Sequence, residues 1–298
     1  MEARKLTACK PAALTLRQIQ RAGGSRLAQA GIPSALLDAD VLLGPALGLT
    51  REQRMASPSL VLSEAQARLY SDLIERRTRR EPIAYILGRQ EFWSLDFRVT
   101  QAVLIPRPET ERLVEIALEI ASRPEGPPSI LDIGTGSGAI AVSLATELPD
   151  ATIWATDVSV EALALARGNA WRHGVDGRIH FLQGDLWEAL DGVDRRFDLI
   201  VSNPPYVPSA EIDRLEPEVS RWEPRLALDG GIDGLDFYRR MVSCAHARLA
   251  PGGVLALEIG ADMGAPVVSL FQASKRYREV KVVCDYAGRD RVVVARTG

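Results

Sequence analysis

The tetrapeptide Asn203-Pro204-Pro205-Tyr206 brings together residue types that can hold an amino group in place. Proline has no backbone N–H, so this loop presents carbonyl oxygens, and the Asn203 side chain adds a further acceptor. These acceptors can bind both hydrogens of an NH₂ group while Tyr206 stacks on its flat plane, which would free the lone pair of a poorly nucleophilic amide. We predict that residues 203–206 are catalytic and bind the substrate. The alternative is an ordinary turn, because Asn-Pro and Pro-Pro are turn signals.

A glycine-rich run, Gly134-Thr135-Gly136-Ser137-Gly138, has the composition of a ligand-binding loop. Glycines let the backbone turn tightly and approach a ligand, next to the free N–H groups of a helix that begins there. Asp157 ends the next strand pattern, 19 residues after Gly138, where a carboxylate can accept both hydroxyls of a ribose. The spacing from Gly134 to Ala139 also fits a dinucleotide fingerprint, so spacing alone leaves the nucleotide cofactor open.

Several features favour S-adenosylmethionine as that cofactor. The glycine loop follows a long N-terminal region, and it carries no positive charge to attract a phosphate. Asp132, two residues before the first glycine, suits the cationic amine of a methionine better than a pyrophosphate. The chain also ends in a hairpin pattern that most dinucleotide-binding sheets lack. We predict that S-adenosylmethionine binds the loop from Gly134 to Gly138, Asp157 and Asn203.

Both motifs follow strand patterns in a region where strands and helices alternate, which predicts a doubly wound parallel sheet. Ligands bind outside the carboxyl ends of such strands, so the two motifs should lie side by side. The predicted strands are residues 130–133, 152–156, 179–182, 197–201, 254–259, 280–285 and 291–296. A short polar turn joins the last two, which makes the last strand antiparallel. The predicted fold is α/β, a seven-stranded, Rossmann-like sheet typical of class I S-adenosylmethionine methyltransferases.

The preceding part of the chain has a different pattern. Residues 14 to about 88 follow a helical period, and Ser63 with Gln66 forms a capping box at the start of one helix. We predict a small helical bundle, residues 1–88, that recognises the substrate. Residues 89–108 read as a β-hairpin linker with strands at 91–97 and 98–105, and residues 109–298 as the methyltransferase domain.

Composition narrows the possible partners. The net charge is −3, which gives no general attraction for nucleic acid. The three cysteines (Cys9, Cys244 and Cys284) are far apart and form no CxxC pair, so reduced thiols are expected and a metal site is not. No run approaches the ~20 apolar residues that span a membrane. We expect a cytoplasmic monomer that binds neither membranes nor nucleic acid directly.

The sequence resembles the protein-glutamine methyltransferases that modify peptide-chain release factors, the family often called HemK or PrmC. The resemblance covers nearly the whole chain. Residues 203–206 alone are shared with DNA adenine and RNA guanine methyltransferases. The runs that narrow the resemblance are Pro106 to Glu111 and Gly230-Gly231-Ile232-Asp233-Gly234-Leu235, and Asn169-Ala170 and Glu223-Pro224 also match.

The resemblance implies the acceptor, which is the glutamine of the Gly-Gly-Gln motif in release factors. It also implies that the N-terminal helical domain grips the release factor and that Asp185 and Leu186 bind the cofactor. Some relatives place an aromatic residue near the adenine where this chain has Leu186, and Trp187 is the candidate substitute.

Three other functions would account for part of this sequence. A DNA or RNA base methyltransferase would use the same chemistry at residues 203–206, but it should carry a basic surface or an added recognition module. A nicotinamide-dependent oxidoreductase would use the glycine loop but leave residues 203–206 without a role. A scaffold without catalysis would need neither motif.

Overall fold

Five helices form the described part of the first unit of the chain. The computed structural model describes residues 14–122 and 126–298, which divide into one unit that ends at Leu87 and a second unit, Gly88–Gly298. Residues 1–13 of the predicted helical domain, which include Cys9, lie outside the described part of the chain. The helices of the first unit are α1 (Leu16–Gln29), α2 (Ala35–Leu47), α3 (Arg51–Ala56), α4 (Glu64–Thr78) and α5 (Ile83–Leu87).

Capping boxes begin three of these helices. The Ser63 hydroxyl accepts from the Gln66 backbone N–H, and the Gln66 side chain accepts from the Ser63 N–H, as the sequence predicted. Thr15 and Thr50 cap α1 and α3 in the same way. Each box satisfies N–H groups that the first helical turn leaves without partners.

The helices pack on one apolar core, and two polar contacts fix their arrangement. The Tyr70 hydroxyl donates to the Ala39 carbonyl at 3.1 Å, which links α4 to α2. A Cβ at Gly23 would stand 2.3 Å from that hydroxyl, so only glycine lets α1 approach α4 here. Arg77 donates to the Asp38 carboxylate at 2.7 Å, and both side chains are buried. Removing one partner of such a pair costs about 3–5 kcal/mol.

The second unit begins with a hairpin that differs from the predicted one. Strands β1 (Arg89–Phe92) and β2 (Leu95–Arg98) are antiparallel and have four residues each. The predicted strands at 91–97 and 98–105 were wrong, because the chain turns at Trp93-Ser94. Both residues have positive φ, 54° and 57°, as a two-residue type I′ turn requires. Residues 99–107 contain neither helix nor strand.

A seven-stranded sheet forms the centre of the second unit, with strand order β5-β4-β3-β6-β7-β9-β8. The first five of these are parallel, and β9 is antiparallel to both β7 and β8. The predicted α/β fold with an antiparallel last strand is therefore confirmed. The strands are β3 (Ser129–Ile133), β4 (Thr152–Asp157), β5 (Ile179–Gln183), β6 (Phe197–Ser202), β7 (Leu249–Glu258), β8 (Tyr277–Cys284) and β9 (Asp290–Thr297).

Helices cover both faces of the sheet. Consecutive residues of β3, Ile130 and Leu131, belong to different apolar clusters, one on each face of the sheet. The first cluster includes residues of α6, α7 and α8, and the second includes residues of α10 and α11. The helices are α6 (Glu111–Ala121), α7 (Ala139–Glu147), α8 (Val160–Arg172), α9 (Pro217–Ser220), α10 (Asp236–Arg248) and α11 (Gly264–Ser274). Among the described helices, none is both long and apolar enough to cross a membrane.

The strand order reverses between β3 and β6, because the chain runs from β3 outward to β5 and then returns to the other side of β3. A crevice forms at the carboxyl ends of strands on either side of such a point. The glycine loop follows β3, Asp157 ends β4 and Asn203 follows β6. The topology therefore brings the three predicted motifs to one place.

Candidate active site

A pocket of about 360 Å³ opens at this reversal point, which is within the range of small-molecule sites. Nine predicted site residues line it, and Pro204, Tyr206 and Gly138 are the three that do not. The predicted residues that line the pocket are Gly134, Thr135, Gly136, Ser137, Asp157, Asp185, Leu186, Asn203 and Pro205. The pocket thus unites the glycine loop and the Asn-Pro-Pro-Tyr loop.

Two glycines of the loop have different structural roles. Gly136 has φ +55° and open space where a Cβ would be, and it lines the pocket. A Cβ at Gly138 would stand 3.1 Å from the Ala166 Cβ, so glycine at that position allows α7 and α8 to pack closely. The loop is held from outside as well, because the Asn169 amide donates to the Ser137 carbonyl at 2.8 Å and to the Arg98 carbonyl at 3.1 Å.

Asp157 connects the glycine loop to the end of β4. One carboxylate oxygen accepts from the Gly136 N–H and the other from the Ser159 N–H, both at 2.9 Å. Burial raises the pKa of Asp157, and these backbone N–H groups oppose that shift. Each oxygen keeps lone-pair capacity beyond its backbone bond, so the carboxylate can still accept from a hydroxyl pair.

Asp132 lies beneath the glycine loop and is fully buried. Its Oδ2 accepts from the Thr135 hydroxyl at 2.6 Å, whereas Oδ1 has no partner in the described part of the chain. Burial is the largest cause that raises the pKa of Asp132 to about 7, and the nearby Asp157 raises it further. The Ala141 N–H lowers this pKa, although its contact does not have normal hydrogen-bond geometry. A buried carboxylate oxygen of this kind fits a ligand that brings positive charge.

The Asp185-Leu186 segment forms another wall of the pocket. Asp185 pairs with Arg240 at 2.6 Å, with both side chains about half exposed. Leu186 is buried with φ +51° and lines the pocket. Trp187 is not among the pocket residues: its ring N–H donates to the Arg240 carbonyl, and the ring packs on the second core cluster. The aromatic residue that does line the pocket is Phe237, which the sequence reasoning missed.

Asn203 follows β6, and its side-chain amide is oriented by a neighbour. Its Nδ2 donates to the Thr110 hydroxyl at 3.1 Å, and both residues line the pocket. The following backbone is packed against the Gly230–Leu235 run. A Cβ at Gly230 would stand 2.9 Å from the Pro205 carbonyl oxygen, and one at Gly234 would stand 2.4 Å from the Tyr206 carbonyl oxygen. Glycines in that run therefore let it support residues 203–206.

The loop before α6 adds a charged residue that the sequence reasoning did not select. Arg107 lines the pocket and pairs with the buried Glu223 carboxylate, which also accepts from the Ile105 N–H at 3.3 Å. Burial raises the pKa of Glu223, and Arg107 opposes that shift. The pair joins the loop before α6 to Pro224, another pocket residue. In the sequence, the only link between these two segments is that both match the family that the chain resembles.

Two family models match the chain: the PrmC N-terminal domain at residues 18–88 and the methyltransferase small domain at residues 118–215. A release factor glutamine methyltransferase from Moorella thermoacetica is 48% identical, over 95% of this chain and 98% of that protein. Its counterpart from Geobacter sulfurreducens is 45% identical, over 97% of this chain and 99% of that protein.

A solved structure of a methyltransferase from Pyrococcus furiosus is similar to this chain with a TM-score of 0.51. The sequences are 20% identical, and the match covers 75% of this chain and 98% of the other. At this level of identity the similarity supports the fold alone.

Proposed function

This chain belongs to the release factor glutamine methyltransferase family, and from that premise we propose that it transfers a methyl group from S-adenosylmethionine to the side-chain amide nitrogen of a glutamine in a peptide-chain release factor. The glutamine is that of the Gly-Gly-Gln motif. The observation that carries the proposal is that Asn203 lines the same pocket as Gly136 and Asp157. The group proposed to bind the amide and the groups proposed to bind the cofactor therefore line one cavity.

The donor set fits S-adenosylmethionine. Asp157 would accept the ribose hydroxyls, and the open space beside Gly136 would admit the methionine part of the ligand. The free Oδ1 of Asp132 supplies negative charge under the loop, which suits a cation and not a pyrophosphate. Leu186 and Phe237 offer apolar surface for the adenine. When bound, the cofactor supplies an electrophilic methyl group on a sulfonium.

The acceptor would be held by oxygen atoms. With its NH₂ group committed to Thr110, Asn203 has its carbonyl Oδ1 available to accept from the substrate amide. Pro205 lines the pocket and donates no N–H, so its backbone is an acceptor as well. Binding both hydrogens favours a pyramidal nitrogen whose lone pair points at the methyl group, and alignment lowers the barrier further. The proton leaves after transfer, so no general base is required beforehand.

The alternatives explain fewer of the observations. A nicotinamide-dependent oxidoreductase has no use for an amide-orienting Asn203, and a scaffold has no use for either loop. A nucleic-acid base methyltransferase shares the chemistry, but the net charge of −3 offers no general attraction for phosphate. We extend the proposal to a cytoplasmic monomer whose helical domain, residues 1–88, recognises the release factor.

The direct test is transfer of labelled methyl from S-adenosylmethionine to purified release factor. Incorporation into the wild-type factor, and none when the Gly-Gly-Gln glutamine is changed to alanine, is expected. Naked DNA and RNA serve as competing acceptors. Equal labelling of the alanine variant, or labelling of nucleic acid alone, would refute the proposed acceptor.

A further inference from the structure

The hydroxyl of Thr110 is a hydrogen-bond partner of the Asn203 side-chain amide. Its Nδ2 donates to Thr110 Oγ1 at 3.1 Å, and Thr110 is 4% exposed. The two ends of a side-chain amide have nearly the same shape, and only their partners decide which end faces which way. A hydroxyl by itself does not decide, because it can either donate to the amide oxygen or accept from the amide nitrogen.

Glu258 lies close to the Thr110 hydroxyl. The register of β6 and β7 pairs Ser202 with Leu257, so the next residues, Asn203 and Glu258, leave the sheet side by side at its carboxyl edge. Glu258 is 1% exposed, and its Oε2 has no partner within the described chain. Burial raises the pKa of Glu258 to about 7, and the nearby Thr110 hydroxyl opposes that shift.

The orientation of Asn203 follows from these contacts. An ionised carboxylate accepts hydrogen bonds and donates none, so it takes the single hydrogen of the Thr110 hydroxyl. The lone pairs of that hydroxyl then remain for Asn203, which must donate from Nδ2 and turn Oδ1 away. We propose that Thr110 and Glu258 are positioning residues that fix which end of the Asn203 amide faces the pocket. This rests on the proposed function, in which Oδ1 accepts from the substrate NH₂.

Two substitutions at Thr110 separate the hydroxyl from the space it fills. Thr110→Val keeps the shape and removes the hydroxyl, whereas Thr110→Ser keeps the hydroxyl. With release factor as substrate at about pH 8.5, above the raised pKa of Glu258 of about 7, kcat should fall by about tenfold or more in the valine variant. The serine variant should recover most of that loss, and KM and the dissociation constant of S-adenosylmethionine should change little in both.

Thr146→Val is the control, because within the described part of the chain the Thr146 hydroxyl donates to the Val142 carbonyl of its own helix, α7. It should leave kcat unchanged. Equal activity of the serine and valine variants at Thr110, or an equal loss at Thr146, would overturn the positioning role.

Glu258→Gln tests the second step. Glutamine fills the same space but can donate to Thr110, which lets the hydroxyl donate in turn to Asn203 Oδ1 and invert the amide. We expect kcat to fall by about tenfold, and by no further factor when Thr110→Val is added, because Glu258 acts through Thr110. Multiplicative losses in the double variant would refute the relay.

A readout without turnover separates this proposal from the proposed function. The Asn203 side-chain NH₂ resonance, assigned by its disappearance in Asn203→Ala, should shift in Thr110→Val and in Glu258→Gln but not in Thr146→Val. If the wild-type protein fails to methylate release factor while these shifts occur, only the proposed function fails. If the resonance is unmoved by both substitutions, the positioning proposal is wrong even in an active enzyme.

Discussion

The Gly136 backbone N–H donates to the Asp157 carboxylate at 2.9 Å, so a hydrogen bond joins the glycine loop to the end of β4. The other oxygen of Asp157 accepts from the Ser159 N–H, which fixes the plane of the carboxylate. Asp157 therefore shapes the loop, and in the proposed binding mode it also offers lone pairs to the ribose, so one substitution would remove both contributions.

Asp157→Ala should weaken S-adenosylmethionine binding by roughly 1–3 kcal/mol, the scale of charge-assisted hydrogen bonds lost at a partly buried site. Calorimetric titration of the variant measures this directly. Asp150→Ala is a suitable control, because Asp150 is an exposed carboxylate just before the opposite end of the same strand. Unchanged affinity in Asp157→Ala would show that the ribose lies elsewhere.

The sequence predicted those parts of the site that depend on local pattern. The glycine loop and residues 203–206 are contiguous runs, each directly after a strand, and topology alone brings them together. The sequence assigned no role to Thr110, although it lies in the Pro106 to Glu111 run, because its bond to Asn203 joins residues 93 positions apart. The local pattern around Thr110 and Glu258 does not show which side chains they contact in the folded protein.

Two predictions of local structure failed for identifiable reasons. Trp93 and Ser94 rarely adopt positive φ, so the turn between β1 and β2 lacks the glycine or asparagine that would have revealed it. Trp187 was expected near the adenine because it follows Leu186, but its ring packs on the second core cluster. Phe237 lines the pocket instead, from the first turn of α10.

The buried Asp132 predicts a particular dependence of stability on pH. Its pKa is raised to about 7 in the folded protein, whereas an unfolded aspartate titrates near ~3.9. Between these values the folded state holds a proton that the unfolded chain has released. Stability therefore falls as the pH rises through this window, and the full destabilisation remains above it.

Asp132→Asn removes that titration but keeps an acceptor for the Thr135 hydroxyl. Relative to the wild type, the variant should gain at least ~1 kcal/mol of stability between about pH 5 and about pH 8. Chemical denaturation of both proteins without cofactor at the two pH values measures the difference. A constant difference would mean that Asp132 does not titrate in this range. In the proposed binding mode, the variant should also bind S-adenosylmethionine more weakly, because the negative charge under the glycine loop is lost.

Arg107→Ala should destabilise the protein more at about pH 8 than at about pH 5. Removal of Arg107 leaves the Glu223 carboxylate buried without its cation, and burial already raises the pKa of Glu223. Protonation of Glu223 at low pH relieves the unpaired charge. Because Arg107 is 34% exposed, the loss is discounted to about 1–2 kcal/mol at the higher pH. In a Glu223→Gln background, Arg107→Ala should cost the same free energy of unfolding at both pH values. If the cost still differs between the two pH values, another group is responsible for the difference.

A truncated protein that begins at Gly88 should bind S-adenosylmethionine with nearly the affinity of the full chain but lose most activity on release factor. The hairpin must be kept, because Asn169 bonds to both backbone groups of Arg98 and also to the glycine loop. A second truncation that begins at Pro106 removes those contacts and should bind cofactor less well. Full activity of the Gly88 protein on intact release factor would show that residues 1–88 do not recognise the substrate.

Asn203 should control turnover and not cofactor affinity. Asn203→Ala removes the acceptor Oδ1 and the bond to Thr110, so alignment of the substrate amide is lost in the transition state. A loss of a few kcal/mol corresponds to a decrease in kcat of about a hundredfold or more. Single-turnover rates together with calorimetric binding of S-adenosylmethionine separate the two effects.

Asn203→Asp is the sharper substitution. Aspartate keeps an acceptor oxygen but cannot donate to Thr110, and its charge would stand in the same buried region as the Glu258 carboxylate. Two like charges so placed oppose ionisation of either group, so one would stay protonated and the arrangement of donors around Thr110 would change. We expect activity on a glutamine acceptor to stay low even though an oxygen is present. Methyl transfer at the wild-type rate by both Asn203 variants would mean that residues 203–206 form only a structural turn, and methylation of an amide would then lack its chemical basis in this protein.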